Sequence, residues 1–215
     1  MDSFIDRIKT LPASAFTEKD IRVLFPAKSN ASWQNKIKRE VARGEIIRLK
    51  RGVYCLTPKH QKRPINLLDI SSTLYPPSYI SMESALSFYG LIPEAVHSVT
   101  AVTTRRNSRF TTSIGIFEYD HLPLSIYNQY FQSTKTTDDY VFLIATPLKC
   151  LFDYMYIRKK KYLSLSDLEE DLRIEPTALA EKTKNLSNKE ILRYKDVFKN
   201  KWIRKIIDLI IWELR

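Results

Sequence analysis

Residues 46 to 56, IIRLKRGVYCL, hold two apolar runs separated by Lys50, Arg51 and Gly52. Each run has the length of a short strand, and a glycine at the break supplies the positive φ of a tight turn, so the stretch predicts a β-hairpin. A turn requires the glycine but not two cations, so the charge at the tip needs a separate reason. Basic residues there also keep an exposed sheet edge from pairing with other chains, and only the flanking sequence decides between that role and a ligand.

Upstream, Phe4, Ile5, Ile8 and Leu11 recur at helical spacing. Thr17 and Asp20 form a capping pattern for a second short helix through Ile21, Val23 and Leu24, which Pro26 ends. A third helix is predicted over about 30 to 43, with Trp33, Ile37 and Val41 on one face and Gly44 as its stop. Three helices followed by a basic hairpin is the order of a winged helix-turn-helix. On a helical wheel the third helix turns Ser32, Asn35, Arg39 and Ala42 away from its apolar stripe, flanked by Lys36 and Lys38. Asn can bond an adenine edge in two places, Arg a guanine edge, and small residues let a helix sit deep in the major groove. A plain solvated face would intersperse acids, and Glu40 and Glu45 are the only ones near it. In such a fold the hairpin is the wing, from which Arg48, Lys50 and Arg51 reach phosphates or the adjacent minor groove.

Charge follows the same division. The formal net charge is +11 with a pI near 9.6. Residues 1 to 63 hold 15 Lys and Arg against 6 Asp and Glu, and residues 64 to 215 hold 20 against 18. The shift coincides with TPKHQKRP at 57 to 64, a polar, basic stretch between two prolines, which reads as a linker. We therefore expect a DNA-binding unit over 1–63 and a second domain over 64–215. That second part opens with a helix through Leu67, Leu68, Ile70 and Leu74 and a helix capped by Ser81. Three β-rich runs follow at 96 to 104, 113 to 122 and 139 to 145, the last apolar enough for a central strand. Thr146 and Pro147 then open a helix, and three or four more are expected after it, with Ser166/Glu169 and Ser187/Glu190 as capping boxes. The expected class is α+β: an N-terminal winged helix-turn-helix, then a mixed domain with a small sheet and a helical end.

Enzymatic readings find little to stand on. With glycine only at 44, 52, 90 and 115, no Gly-rich loop can cradle a phosphate, and a GxSxG elbow is absent. His60, His97 and His121 are scattered, without metal-ligand spacing, and Cys55 and Cys150 read as buried free thiols. Glu118 and Asp120 share one face of a predicted strand and could hold Mg²⁺, which keeps a metal-dependent, nuclease-like enzyme with a winged-helix targeting domain as the alternative. We expect no catalytic residues, no metal and no cofactor. No stretch has the apolar run of a signal peptide or a bilayer span, so a cytoplasmic location without membrane contact is expected.

Four motifs in order, RLKRGVYCL, YISMESALSFYGLIPE, VTAVTTRRNSRFTTSIGIFEYDHLP and ATPLKCLFDYMY, resemble the AbiEi family of antitoxins and viral-defence transcriptional regulators. The similarity covers about residues 1 to 157. Relatives often carry an acid at the position of Leu148, where only the packing role then carries over. The resemblance implies a DNA-binding autorepressor that binds double-stranded DNA at inverted repeats upstream of its own operon. It also implies the antitoxin of a type IV, abortive-infection system paired with a nucleotidyltransferase-like toxin. In that comparison the RRNSR stretch aligns with a basic loop, which makes Arg105, Arg106 and Arg109 candidates for extra phosphate contacts. A single winged helix reads few base pairs, so a monomer or weak dimer binding cooperatively is expected. The broad apolar stripe of the last helix, KNKWIRKIIDLIIWELR, is to be covered by its own domain or by another chain.

Overall fold

A computed structural model describes residues 3–26, 29–61, 63–94 and 96–214. The chain opens with α1 (Phe4–Ile8), capped reciprocally by Ser3 and Asp6. Strand β1 (Ala15–Thr17) runs into α2 (Glu18–Leu24), where Thr17 and Asp20 form the capping box that their spacing predicts. Helix α3 (Asn30–Ala42) starts on a Ser29 cap and ends before Gly44, whose φ of 69° suits the chain reversal. Strands β2 (Ile46–Lys50) and β3 (Val53–Leu56) form the expected antiparallel hairpin, turned at Gly52 with φ 78°. Strand β1 was not expected: three residues carry no alternation signal, and the element exists because it pairs with β3, giving the order β1-β3-β2.

Both faces of this small sheet are covered. Phe16, Ile46, Tyr54 and Leu56 face the helices and pack with Ile8, Ile21, Trp33 and Ile37. Ala15, Leu49, Val53 and Cys55 face the other way and join the core of the rest of the chain. All four β3 residues are therefore buried. The expected linker is held rather than slack: after a 3-10 turn (Pro58–His60), Lys59 pairs with Glu45 at 2.8 Å and the Gln61 amide donates to the Leu56 carbonyl at 2.6 Å. Lys62 of that stretch lies outside the described residues.

The second part builds a mixed sheet in the order β6-β7-β5-β4-β9-β8. Its strands are β4 (Ser78–Ile80), β5 (Ser98–Thr103), β6 (Ser108–Thr112), β7 (Gly115–His121), β8 (Phe131–Lys135) and β9 (Val141–Ala145). Helix α4 (Leu67–Leu74) packs against both sheets, while α5 (Met82–Phe88) lies on β5 and against α7 (Pro147–Ile157). A four-residue helix, α6 (Leu124–Tyr127), precedes β8. The helical end comprises α8 (Leu165–Leu172), α9 (Pro176–Thr183), α10 (Asn188–Leu192), α11 (Tyr194–Val197) and α12 (Lys201–Glu213), one more than expected. Three expectations need correction. Strand β9 is next to the edge rather than central, and Val141 and Leu143 on its outer face are exposed. The cap of α8 is Ser164 with Asp167, not Ser166 with Glu169, because the earlier start buries Leu165, Leu168 and Leu172 together. The RRNSR stretch is not wholly loop: its last two residues open β6, which antiparallel pairing with β7 defines.

Ser81 occupies the N-cap of α5 without capping it. Its hydroxyl instead donates to Asp153 Oδ2 at 2.8 Å, beside the Tyr79 hydroxyl at 3.2 Å. Lys149, one turn earlier on α7, pairs with Asp153 and donates to the Tyr79 oxygen at 2.7 Å. Lys149 and Asp153 are wholly buried. Burial pushes the Lys149 ammonium down and the Asp153 carboxyl up, each opposed by its partner. The pair fastens α7 to β4 through side chains rather than through apolar contact alone.

The α12 stripe is covered by its own chain: Ile203, Ile206, Ile207 and Ile210 are fully buried, and Trp212 at the rim is 86% exposed. Among the described residues no helix is long and apolar enough to cross a membrane. Two stability measurements follow from this packing. Lys149→Met leaves the buried Asp153 without its cation, and is expected to cost about 3–5 kcal/mol, with Lys149→Met/Asp153→Leu recovering much of the loss in chemical denaturation. Ile206→Asp is expected to lower the thermal midpoint by about 10 °C or more, whereas Trp212→Lys moves it by no more than about 2 °C.

Candidate nucleic-acid interface

Helix α3 buries Trp33 and Ile37 and directs Ser32, Asn35, Lys38 and Arg39 to solvent. Its one acid, Glu40, is not on the outward face: it is 4% exposed and held by Lys36 Nζ at 2.6 Å and Arg43 Nη1 at 3.6 Å. Lys36 accordingly leans sideways, half-buried, with its ammonium 5.8 Å from the Phe4 ring centre, instead of flanking the outward face as expected. The exposed side of α3 is thus amide-bearing and cationic with no acid on it. Arg43, one turn beyond Arg39 and largely exposed, extends that face; its four-residue spacing from Arg39 was the available signal.

The hairpin sorts its three cations by strand geometry. Ile46 and Arg48 alternate onto the sheet face that carries α3, and Arg48 is exposed there on an edge strand. Arg51 is exposed at the tip. A register shift between Arg48 and Lys50 breaks the alternation, so Lys50 pairs with Val53 and turns to the opposite face. Its ammonium lies 4.8 Å from the Phe110 ring centre and 5.2 Å from that of Tyr75. Burial, and secondarily the Arg105 guanidinium, push the Lys50 ammonium below its ordinary range. Simple alternation would have kept Lys50 with Arg48; the bulge is the reason it is not at the exposed tip.

That contact brings two separate basic stretches together. Arg105 stacks on the same Tyr75 ring at 4.6 Å and donates to the Pro76 carbonyl at 3.2 Å, so Tyr75 is shared between the hairpin and the β5–β6 loop. Arg106 is exposed, and its carbonyl accepts from the Tyr75 hydroxyl at 3.1 Å. Arg109 is directed across the sheet to Glu118 at 3.3 Å, which neutralises it. Of the three loop arginines, Arg105 and Arg106 therefore sit beside the hairpin as exposed cations, and Arg109 is paired.

The carboxylates considered for metal binding have other partners. Glu118 takes Arg109 and the Ser98 hydroxyl, and Asp120 takes Arg158 at 3.1 Å. Arg158 also bonds Glu83, and Lys160 pairs with Asp171, so two cations of the basic stretch RKKK at 158 to 161 supply internal ties. Among the described residues no group of three His, Cys, Asp or Glu side chains could hold a metal ion. His60 bonds Glu45, His121 Nδ1 meets the Arg105 carbonyl at 3.0 Å, and His97 is exposed. Cys55 and Cys150 are buried and free, and burial pushes the Cys55 thiol up to about 12.

Lys50→Ala is expected to cost about 0.5–2 kcal/mol of stability through the lost ring contacts, while Arg51→Ala stays within about 0.5 kcal/mol; thermal unfolding of both variants checks the assignment. In comparisons with known proteins, the chain matches neither a family model nor a curated protein sequence.

Proposed function

We propose that this protein is a sequence-specific, double-stranded-DNA-binding transcriptional repressor, reading DNA with α3 and gripping the backbone with the β2–β3 hairpin. The observation that carries this reading is the outward face of α3. It presents Asn35 and Arg39 with Lys38, and its one acid is withdrawn into an internal ion pair. An amide and a guanidinium on a helix free of exposed carboxylates suit base edges in the major groove, where a carboxylate would be repelled by phosphate. The order of elements, with a basic hairpin following the third helix, supports a winged helix-turn-helix. Arg48 and Arg51 are the wing's free cations, and Arg105 and Arg106 extend the cationic surface from the second domain. Lys36 and Lys50 act at one remove, Lys36 by neutralising Glu40 and Lys50 by docking the hairpin. The resemblance to the AbiEi family extends the proposal to autorepression at inverted repeats upstream of its own operon and to the antitoxin role opposite a nucleotidyltransferase-like toxin.

Electrophoretic shift of the full chain on DNA upstream of its own coding sequence, against a scrambled duplex, tests the reading directly. Asn35→Ala or Arg39→Ala is expected to cost about 1–3 kcal/mol on the specific site and to relax base preference. Arg48→Ala and Arg51→Ala are expected to weaken specific and scrambled DNA alike, each reducing the log–log salt slope by about one. Equal affinity of the unmodified chain for both duplexes, or wing variants that lose only the specific site, would contradict the assignment.

A further inference from the structure

A cleft of about 580 Å³ lies between the α1–β1 loop, the start of the second part and the turn joining β8 to β9. That volume is in the range of small-molecule sites, which favour the junction of two folded units. Its floor is apolar, formed by Ile8, Leu11, Phe16 and Leu56. Most polar groups on its rim are already occupied: Lys9 by Asp6 at 3.3 Å, His60 by Glu45, Gln61 by the Leu56 carbonyl, and Asp139 by Lys135 at 2.6 Å.

Two rim charges are not. Arg63 stacks on the Tyr140 ring at 4.0 Å and donates to the main-chain carbonyls of Pro12, at 3.4 Å, and Asp138. Those partners are neutral, so among the described residues no carboxylate pairs with the guanidinium. The exposed Asp138 carboxylate likewise has no hydrogen-bond or ion-pair partner among the described residues. Because Arg63 bonds the Asp138 main chain, this cation and anion, neither in a close ion pair, stand at the same end of the cleft, with the Asp139 carboxylate acting on Arg63 at longer range. A carboxylate would meet the free N–H groups of Arg63, an ammonium would meet Asp138, and an apolar side chain would cover the floor.

We propose that this cleft binds a small zwitterion of the α-amino-acid type carrying an apolar side chain. One wall belongs to the first 63 residues and the other to the second part, so a bound ligand bridges them; its effect on DNA affinity rests on the DNA reading above, while the site itself does not. Calorimetric titration of the full chain with leucine and phenylalanine is expected to show saturable binding. N-acetyl-leucine, which lacks the ammonium, and leucinamide, which lacks the carboxylate, are each expected to bind about tenfold or more weaker. Arg63→Gln and Asp138→Asn are expected to weaken leucine by a similar factor. Should Arg63→Gln unfold the chain, since Arg63 also ties Pro12 to Asp138, the exposed Asp138→Asn decides alone. Absence of binding at millimolar leucine and phenylalanine, equal binding of the acetylated or amidated analogue, or an unchanged affinity in Asp138→Asn would overturn the site. Saturating leucine is expected to change the affinity for the upstream duplex about threefold or more, and an unchanged affinity would overturn the coupling. Leucine binding by a chain that fails to bind DNA would sink the DNA reading and leave the cleft standing.

Discussion

Strand β3 must satisfy two cores at once, and the arrangement of the molecule follows from that. Val53 and Cys55 belong to the large core and Tyr54 and Leu56 to the small one, so four consecutive residues are all buried. An apolar run with no polar alternation is what a strand covered on both faces requires. Helices α1 to α3 occupy one side and α4 the other, so α3 is left with one face free, on the side away from the second part. The hairpin is thereby a structural wall as well as a candidate contact. Its edge residues Arg48 and Arg51 reach solvent because its other residues cannot.

The charge excess of the first 63 residues is not uniformly available to a ligand. Lys36 answers Glu40, Lys59 answers Glu45, and Arg63 is held at the cleft by carbonyls and the Tyr140 ring, away from α3 and the hairpin tip. Lys50 rests on aromatic rings at the seam. Lys38, Arg39, Arg48 and Arg51 remain in solvent on α3 and the hairpin, and Arg7, Lys19 and Arg22 remain in solvent on α1 and α2. Glu45, at the base of the hairpin, is held below the usual carboxylate range first by Lys59 and then by His60, so that acid is also committed.

Elements with their own periodicity were legible in the residues: α3, the hairpin, α7, and the strands β5, β7 and β9. Strands β1, β4, β6 and β8 were not. Their three to five residues have no internal pattern: β1 and β4 exist through partners far along the chain, as Ala15 opposite Cys55 and Ile80 opposite Ile144 illustrate, and β6 and β8 through hairpins with β7 and β9. The site was legible to the level of a helical face and failed where one residue's displacement matters. The outward placement of Asn35 and Arg39 needed only helical geometry, whereas the turning of Lys50 needed a bulge that strand patterns do not announce. The Lys149–Asp153 pair did leave a trace: a lysine and an aspartate one turn apart inside PLKCLFDYMYI, where every neighbour on that face is apolar. The cleft left none, because its walls come from stretches as far apart as residues 8–14, His60, Gln61, Arg63 and residues 138–139.

The doubly covered strand also sets the order in which the chain can mature. During synthesis residues 1 to 56 leave the ribosome with one face of their sheet complete and the other, Ala15, Leu49, Val53 and Cys55, open to water. Ile70 and Leu74 of α4 cover that face, and α4 in turn needs β4, β5 and β9, the last ending at Ala145. The nascent N-terminal unit therefore carries a sticky surface for roughly the time of ninety further peptide bonds, several seconds at ordinary elongation rates. A premature stop before Ala145 therefore yields a fragment that keeps this strand face open to pairing with other chains.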